Sequence, residues 1–401
     1  MRIFYASDTT PNAFLDFESN LWRSNLYSAL IDLGHDVPEF QYNLRETFRR
    51  LDITSPSNRA FVHINRQKIS HELLSQISAA HNEKPIDLFF SYFYDACVLP
   101  ETIDEIKSMG IKTVNWYCNG SYQLNLVSEI SPHYDWCLVP EKFRLDDYRA
   151  MGANPIYCQE AANPSIYKPY NIPVEFDVTF VGQAYGDRPA YIKVLLENGI
   201  EPHVWGTGWN SFSDGFRSRF PLNLMRKIFS TSKKMMNHQG RLDVWSRLLN
   251  AVSEESGSHS ENKFDLDRKV ILSSRILGPP LSDSDMIRMF SRSKINLGFS
   301  SCGETHKKGE RILQVRLRDF EVPMSGGFYM VEYMEELEEF YQIGKEIVCY
   351  QGPEDLAQKI KYYLSHDEER EAIRHAGYRR CQRDHTWQKR LHDAFQEMSL
   401  G

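Results

Sequence analysis

The feature that most constrains this chain is a repeated rhythm: a short apolar run, a stretch with helical spacing, a glycine, then another apolar run. The first cycle opens at residues 3–6, a buried-strand pattern. A helix is predicted over 19–33, with Leu21, Trp22, Leu26, Leu30 and Leu33 at helical spacing. Gly34 stops it, and Asp36-Val-Pro begins the next extended segment. The cycle recurs as strand-like runs at 86–92, 112–117, 134–139 and 156–158, with helices at 100–109 (stopped by Gly110) and 141–151. Strands that alternate with helices predict a parallel sheet with helices on both faces.

The rhythm breaks at 161–173, where three prolines and several turn formers read as a linker. It then starts again. Strands are predicted at 176–181, 203–205, 270–272, 294–299, 327–331 and 346–350, and helices at 189–198, 282–291, 353–364 and 367–381. Two doubly wound units account for the length of 401 residues better than one core does. The predicted domains are 1–168 and 169–383, with an insertion of helices and loops at about 211–268 that interrupts the second, and a C-terminal segment 384–401.

Charge narrows the function. A formal charge of −7 argues against a protein that tracks a nucleic-acid backbone. The seven cysteines form no CxxC pair and most sit in strand-like runs, which predicts buried free thiols in a reducing compartment and no metal-site spacing. Residues 1–7 read as a strand and not as a signal peptide, and no apolar run reaches a membrane span. A cytoplasmic protein is expected. The basic and apolar stretch 216–236 reads as a solvated basic face, with peripheral contact to an anionic membrane as the alternative.

Three places carry candidate chemistry. If 310–322 is helical, Arg311, Gln314, Arg318 and Glu321 share one face, beside an apolar stripe of Leu313, Leu317 and Phe320. Two arginines there neutralise a diphosphate by forked hydrogen bonds, and a carboxylate accepts both hydroxyls of a ribose. A salt-bridged face, with Arg318 paired to Glu321, is the competing reading. Pro323 threatens the helical register. The second place is Phe180-Val-Gly-Gln-Ala-Tyr-Gly-Asp-Arg, where a strand ends in Gly182 and Gln183 and backbone amides approach a phosphate. It lacks the dinucleotide fingerprint GxGxxG. The third is Ser274-Arg-Ile-Leu-Gly-Pro-Pro, where the backbone at Arg275 and Leu277 is placed to read a base edge; a plain connection competes.

At Arg318-Asp-Phe-Glu with Ser325-Gly-Gly the sequence resembles the GT-B glycosyltransferases of the group-1 type, in particular the CgeB-like (spore maturation protein) branch. Further matching segments follow in order: Phe180-Val-Gly-Gln with Arg188, Trp205-Gly-Thr-Gly-Trp, Gly278-Pro-Pro, Lys294-Ile-Asn-Leu-Gly, Gly344-Lys-Glu-Ile and the tail around Gly377 and His385-Thr-Trp. The resemblance implies two Rossmann-like domains facing across a cleft, with the last helix crossing back to the first domain. It implies a donor nucleotide-sugar on the C-terminal domain and an acceptor on the N-terminal one, with no metal and no cofactor. Donor contacts would come from Gly182, Gln183, Arg188, Gly206, Arg275, Leu277, Gly278, Arg311, Arg318, Glu321, Gly326 and Gly327. Glu321 matches the family's ribose-binding residue. The loop Ser7, Asp8, Thr9 is expected to contact the acceptor together with Asn119, and Asp8 is the candidate base.

Two positions depart from the pattern. Leu313 stands where many retaining relatives carry a second Glu, and Asn119 where the branch often has Asp. The expected activity is transfer of a sugar, UDP-linked first and GDP- or dTDP-linked next, to a hydroxyl of a glycan, lipid-linked glycan or protein. The alternative is a non-catalytic GT-B module that binds a nucleotide or glycan.

Overall fold

In a computed structural model the described residues are 1–7, 21–214, 270–303, 305 and 309–400. They form two parallel-sheet units. The first sheet has the order β1-β2-β3-β4-β5, with β1 Ile3–Ala6, β2 Leu88–Ser91, β3 Lys112–Trp116, β4 Trp136–Val139 and β5 Pro155–Tyr157. Every pair is parallel. Residues 36–39, expected as a strand, make only two isolated bridges, Arg2–Asp36 and Tyr5–Glu39, on the outer side of β1. The proline at 38 has no amide hydrogen to give to a ladder.

The second sheet has the order β11-β10-β9-β6-β7-β8. Its strands are β6 Phe176–Val181, β7 His203–Trp205, β8 Leu277–Gly278, β9 Ser293–Gly298, β10 Tyr329–Glu332 and β11 Val348–Tyr350. All its pairs are parallel too. The expected strand at 270–272 is not one: Leu272 bridges Ser213 in isolation, and the sheet's edge is the later Leu277–Gly278.

Helices cover both sheets, and the predicted stops hold where a left-handed residue is needed. Gly110 (φ 82°) closes the helix Pro100–Ser108, and Gly199 (φ 75°) closes Arg188–Glu197. The segment 21–33 is helical, but its turns widen to a π-type stretch over Arg23–Tyr27. The helix Pro56–Glu83, 28 residues long, has no counterpart in the sequence reading. Its buried apolar residues cluster in its second half, at Ile69, Leu73 and Ile77, while Phe61, Val62 and Ile64 in the first half are half-buried or exposed, so the full length carries no clean stripe.

The two units are joined twice. The linker and the last helix run side by side, with Ala162 N–H donating to the His385 carbonyl (3.1 Å) and Trp387 N–H to that of Ala162 (3.3 Å). The helix Trp387–Glu397 then buries Trp387, Leu391, Ala394 and Phe395 in the core of the first unit. Gln388 donates to Asp32 (2.8 Å) on the same side. The insertion expected at 211–268 and the basic stretch 216–236 fall outside the described residues, apart from 211–214. No described helix is long and apolar enough to cross a membrane.

Candidate functional site between the two sheets

Open parallel sheets bind ligands where the strand order reverses, beyond the carboxyl ends of the strands. In the second sheet the chain runs β6, β7, β8 one way and β9, β10, β11 the other, so the reversal lies between β6 and β9. In the first, residues 36–39 flank one side of β1 and β2 the other. A cavity of about 490 Å³ sits where these two reversal points face each other. Val181, Gly182 and Gln183 at the end of β6, with Gly298 and Phe299 at the end of β9, form one wall. Leu21, Trp22, Tyr92, Cys118, Asn119, Tyr122 and Glu160 form the other.

The sequence-predicted residues divide. Gly182, Gln183, Arg188, Arg318, Glu321 and Asn119 line the cavity; Gly206, Arg275, Leu277, Gly278, Arg311, Gly326, Gly327 and Ser7 do not. Asp8 and Thr9 lie outside the described residues. The reason for the largest correction is the helix at 310–322. It spans only Leu317–Met324. Residues 312–314 run extended against 300–302 instead, with Gln314 N–H donating to the Ser300 carbonyl (3.0 Å) and Cys302 N–H to that of Ile312 (2.9 Å). Asp319 fixes the true start by accepting from the Arg316 backbone amide (2.8 Å).

Arg311 therefore shares no face with Arg318. It pairs with Asp187 (2.8 Å) and Glu332 (2.6 Å). Arg275 pairs with Glu201 at the surface. The glycines outside the cavity are packing positions. A Cβ at Gly327 would meet Asn296 Nδ2 and Val322 Cγ1 at 2.8 Å, and one at Gly278 would meet Trp205 Cδ1 at 2.1 Å. Gly206 (φ 148°) lies against the Gly182 carbonyl, which a Cβ would approach to 2.1 Å. It thus shapes the Gly182 turn from behind.

Charge in the cavity is unevenly compensated. Arg318 pairs with Glu321, as the salt-bridged reading of that face expected. Glu321 is 1% exposed, and its Oε1 has no hydrogen-bond partner. Burial raises its pKa above the usual carboxylate range. Two other arginines have no carboxylate within ion-pair distance among the described residues. Arg188 opens the helix Arg188–Glu197 and is 5% exposed. It lies over the Tyr185 ring (3.8 Å to its centre) and donates to the Tyr185 hydroxyl (2.7 Å) and the Gln183 carbonyl (3.0 Å). Burial lowers its pKa to about 10, which leaves it a cation at neutral pH. Arg316 donates to the Ser301 carbonyl, and its buried Nε has no partner.

Sequence reasoning missed Arg316, Glu160 and the aromatic wall. Arg316 alternates with Arg318 in the sequence, but no pattern says that one is paired and the other is not. Glu160 sits between the predicted strand 156–158 and the linker 161–173, outside every motif. Among the described residues no group of three or more His, Cys, Asp or Glu is placed to hold a metal ion. All seven cysteines are free and buried.

Comparison with known proteins agrees with this geometry. Residues 258–396 match the family described as glycosyl transferase-like. Among solved structures, the chain resembles a sucrose-phosphate synthase from Thermosynechococcus elongatus, with a TM-score of 0.56 and 12% identity, covering 100% of this chain and 99% of that one. It resembles Anabaena HepE in complex with UDP and glucose, with a TM-score of 0.52 and 8% identity over 100% of both chains. It also resembles a glycosyltransferase from Rickettsia africae, with a TM-score of 0.51 and 11% identity over 98% and 97%. No curated protein matches in sequence. The chain has the GT-B fold, two parallel-sheet α/β domains whose sheets do not close into barrels.

Proposed function

We propose that this chain is a glycosyltransferase that moves a sugar from a nucleoside-diphosphate sugar to a hydroxyl acceptor, and that it belongs to the CgeB-like branch of its family. One observation carries the reading: buried Arg188 and half-buried Arg316 have no counter-ion among the described residues and lie beside Glu321, in a cavity at the reversal point of the donor-side sheet. An uncompensated buried charge costs several kcal/mol. A diphosphate removes that cost, because charge-assisted hydrogen bonds to it are short and strong. The same two cations then take up the charge that develops on the leaving diphosphate, and the reaction requires no metal. Glu321 Oε1, buried without a hydrogen-bond partner, is the proposed acceptor for a ribose hydroxyl.

A UDP-sugar is the first choice of donor, since UDP and UDP-glucose are the ligands named for the HepE structures. GDP- and dTDP-sugars follow. The acceptor is a glycan, lipid-linked glycan or protein hydroxyl, with Ser7, Asp8, Thr9 and Asn119 as candidate contacts. The seven unpaired thiols support a cytoplasmic protein. A thermal-shift panel of UDP, GDP, dTDP and CMP tests the donor site. A nucleotide at 100 times its Kd stabilises by about 2.7 kcal/mol. No shift with any of the four refutes the reading. EDTA is expected to leave turnover unchanged.

Leu313, which stands where many retaining relatives have a carboxylate, favours a second reading, a nucleotide-binding module without catalysis. Release of free nucleoside diphosphate from a bound donor separates the two.

A further inference from the structure

Arg188 has no ion-pair partner among the described residues although an acid precedes it in the chain. The Asp187 carboxylate is engaged elsewhere, accepting from Ser301 Oγ (3.1 Å) and pairing with Arg311 (2.8 Å). What surrounds the Arg188 guanidinium is aromatic. Its Cζ lies 3.8 Å from the centre of the Tyr185 ring, 5.3 Å from that of Phe180 and 5.8 Å from that of Phe299. The faces of such rings attract a cation most strongly where water is excluded. They stabilise its charge without occupying its N–H donors, and the buried Nε has no acceptor. Gly186 (φ 64°), in the left-handed region, forms the turn that brings Tyr185 back over Arg188.

The Tyr185 hydroxyl completes the arrangement. It accepts from Arg188 Nη2 (2.7 Å), and its own proton has no acceptor among the described residues. Arg316 lies within electrostatic reach of the same hydroxyl. All three side chains line the cavity. A hydroxyl that already accepts from a cation is a poor acceptor for a second donor and a strengthened donor to an anion. A tyrosine stacked on an arginine for packing alone gains nothing from leaving its proton and the arginine Nε unmatched.

We propose that Tyr185 is the third donor of the anion site: its hydroxyl gives a hydrogen bond to a diphosphate oxygen, and its ring holds Arg188 in place of a carboxylate. The inference rests on the donor-binding reading above and adds to it a residue that both binds and positions. A carboxylate in the place of the ring would cancel the cation and repel the diphosphate, whereas the face of a neutral ring does neither.

The test uses the full chain and three probes followed by titration calorimetry. They are the tightest-binding of UDP, GDP and dTDP, its nucleoside without phosphate, and inorganic pyrophosphate. Tyr185→Phe keeps the ring and loses the hydroxyl. It should weaken both phosphate ligands about 10-fold, the loss of one hydrogen bond to a charged group, and leave the nucleoside unchanged. Tyr185→Leu loses the ring as well and should weaken both about 100-fold, again without effect on the nucleoside. In an Arg188→Gln background the two substitutions should cost the same, because the ring acts through Arg188. Nucleoside binding at wild-type strength shows that each variant is folded. A Tyr185→Phe chain that binds the nucleotide within about twofold of wild type, a Tyr185→Leu chain that binds it no more weakly than Tyr185→Phe, or an equal loss for the nucleoside overturns the assignment and leaves the donor reading standing. If the wild type binds pyrophosphate but no nucleotide, and the variants show the same losses, the anion site stands and the donor reading falls. If it binds neither, both fall.

Discussion

At the scale of single residues, the informative quantity is which charges are left without a partner. Four arginines lie in or near the candidate donor site, and their sequence contexts are alike. Arg311 and Arg318 are neutralised by Asp187, Glu332 and Glu321, whereas Arg188 and Arg316 have no carboxylate within ion-pair distance among the described residues. Replacing Arg188 or Arg316 by Gln should weaken UDP binding by about 10–100-fold each, since a hydrogen bond to a charged group is worth roughly 1.5–3 kcal/mol. Uridine without phosphate should bind as before. Titration calorimetry with the two ligands checks both statements, and an equal loss for uridine would show that the arginines act through packing alone. Gly182, Gln183, Arg188, Arg318 and Glu321 were legible as cavity residues because each follows a strand end or sits on the short helix. Arg316 was not, because its neighbours in space, Ser301 and Cys302, are remote in sequence.

At the scale of elements, the helix Leu317–Met324 shows how a local conflict is resolved from outside. Pro323 lacks the N–H that would bond the Asp319 carbonyl one turn earlier. That carbonyl accepts instead from the Tyr341 hydroxyl (2.7 Å). Tyr341→Phe is therefore expected to cost about 1–3 kcal/mol, the penalty for a buried carbonyl left unpaired. Pro323→Ala in the same background should recover part of it by restoring the backbone donor. A denaturation double-mutant cycle with no coupling between the two sites would contradict this account. The proline was visible in the sequence as a threat to the helix. Its remedy was not, because Tyr341 approaches from a turn 18 residues downstream of the proline. The extended run at 312–314 was misread for the same reason. Its partner, 300–302, competes for its backbone, and helical spacing cannot register such a competitor.

At the scale of the whole molecule, the chain ends in the domain where it began. Trp387 is fully buried against Trp116 of the first sheet, with ring centres 5.3 Å apart. Trp387→Ala should cost about 3–5 kcal/mol, as for other large-to-small changes in a core. His385 stands at the crossing. Its Nε2 meets the Phe340 carbonyl (2.8 Å), its Nδ1 faces Arg390 (3.2 Å), and burial lowers its pKa to about 4. The unfolded chain binds this proton more readily than the native one, so stability rises with pH between about 4 and 6.5. Relative to His385→Gln, the wild type should lose up to about 3 kcal/mol as pH falls through that window. A difference that does not change with pH would show that the ring is not held neutral.

The sequence by itself determined the two sheets, most of their strands, the break near 161–173 and the glycine stops, because alternation of apolar runs with helical spacing is a local property. It also singled out Gly182, Gln183, Arg188, Arg318 and Glu321, which line the cavity. Only the tertiary structure decided which charges meet and which stay alone, since pairing depends on residues as distant as Asp187 and Arg311. The same holds for Glu160 and Arg316, brought to opposite walls of one cavity by two sheets whose reversal points face each other.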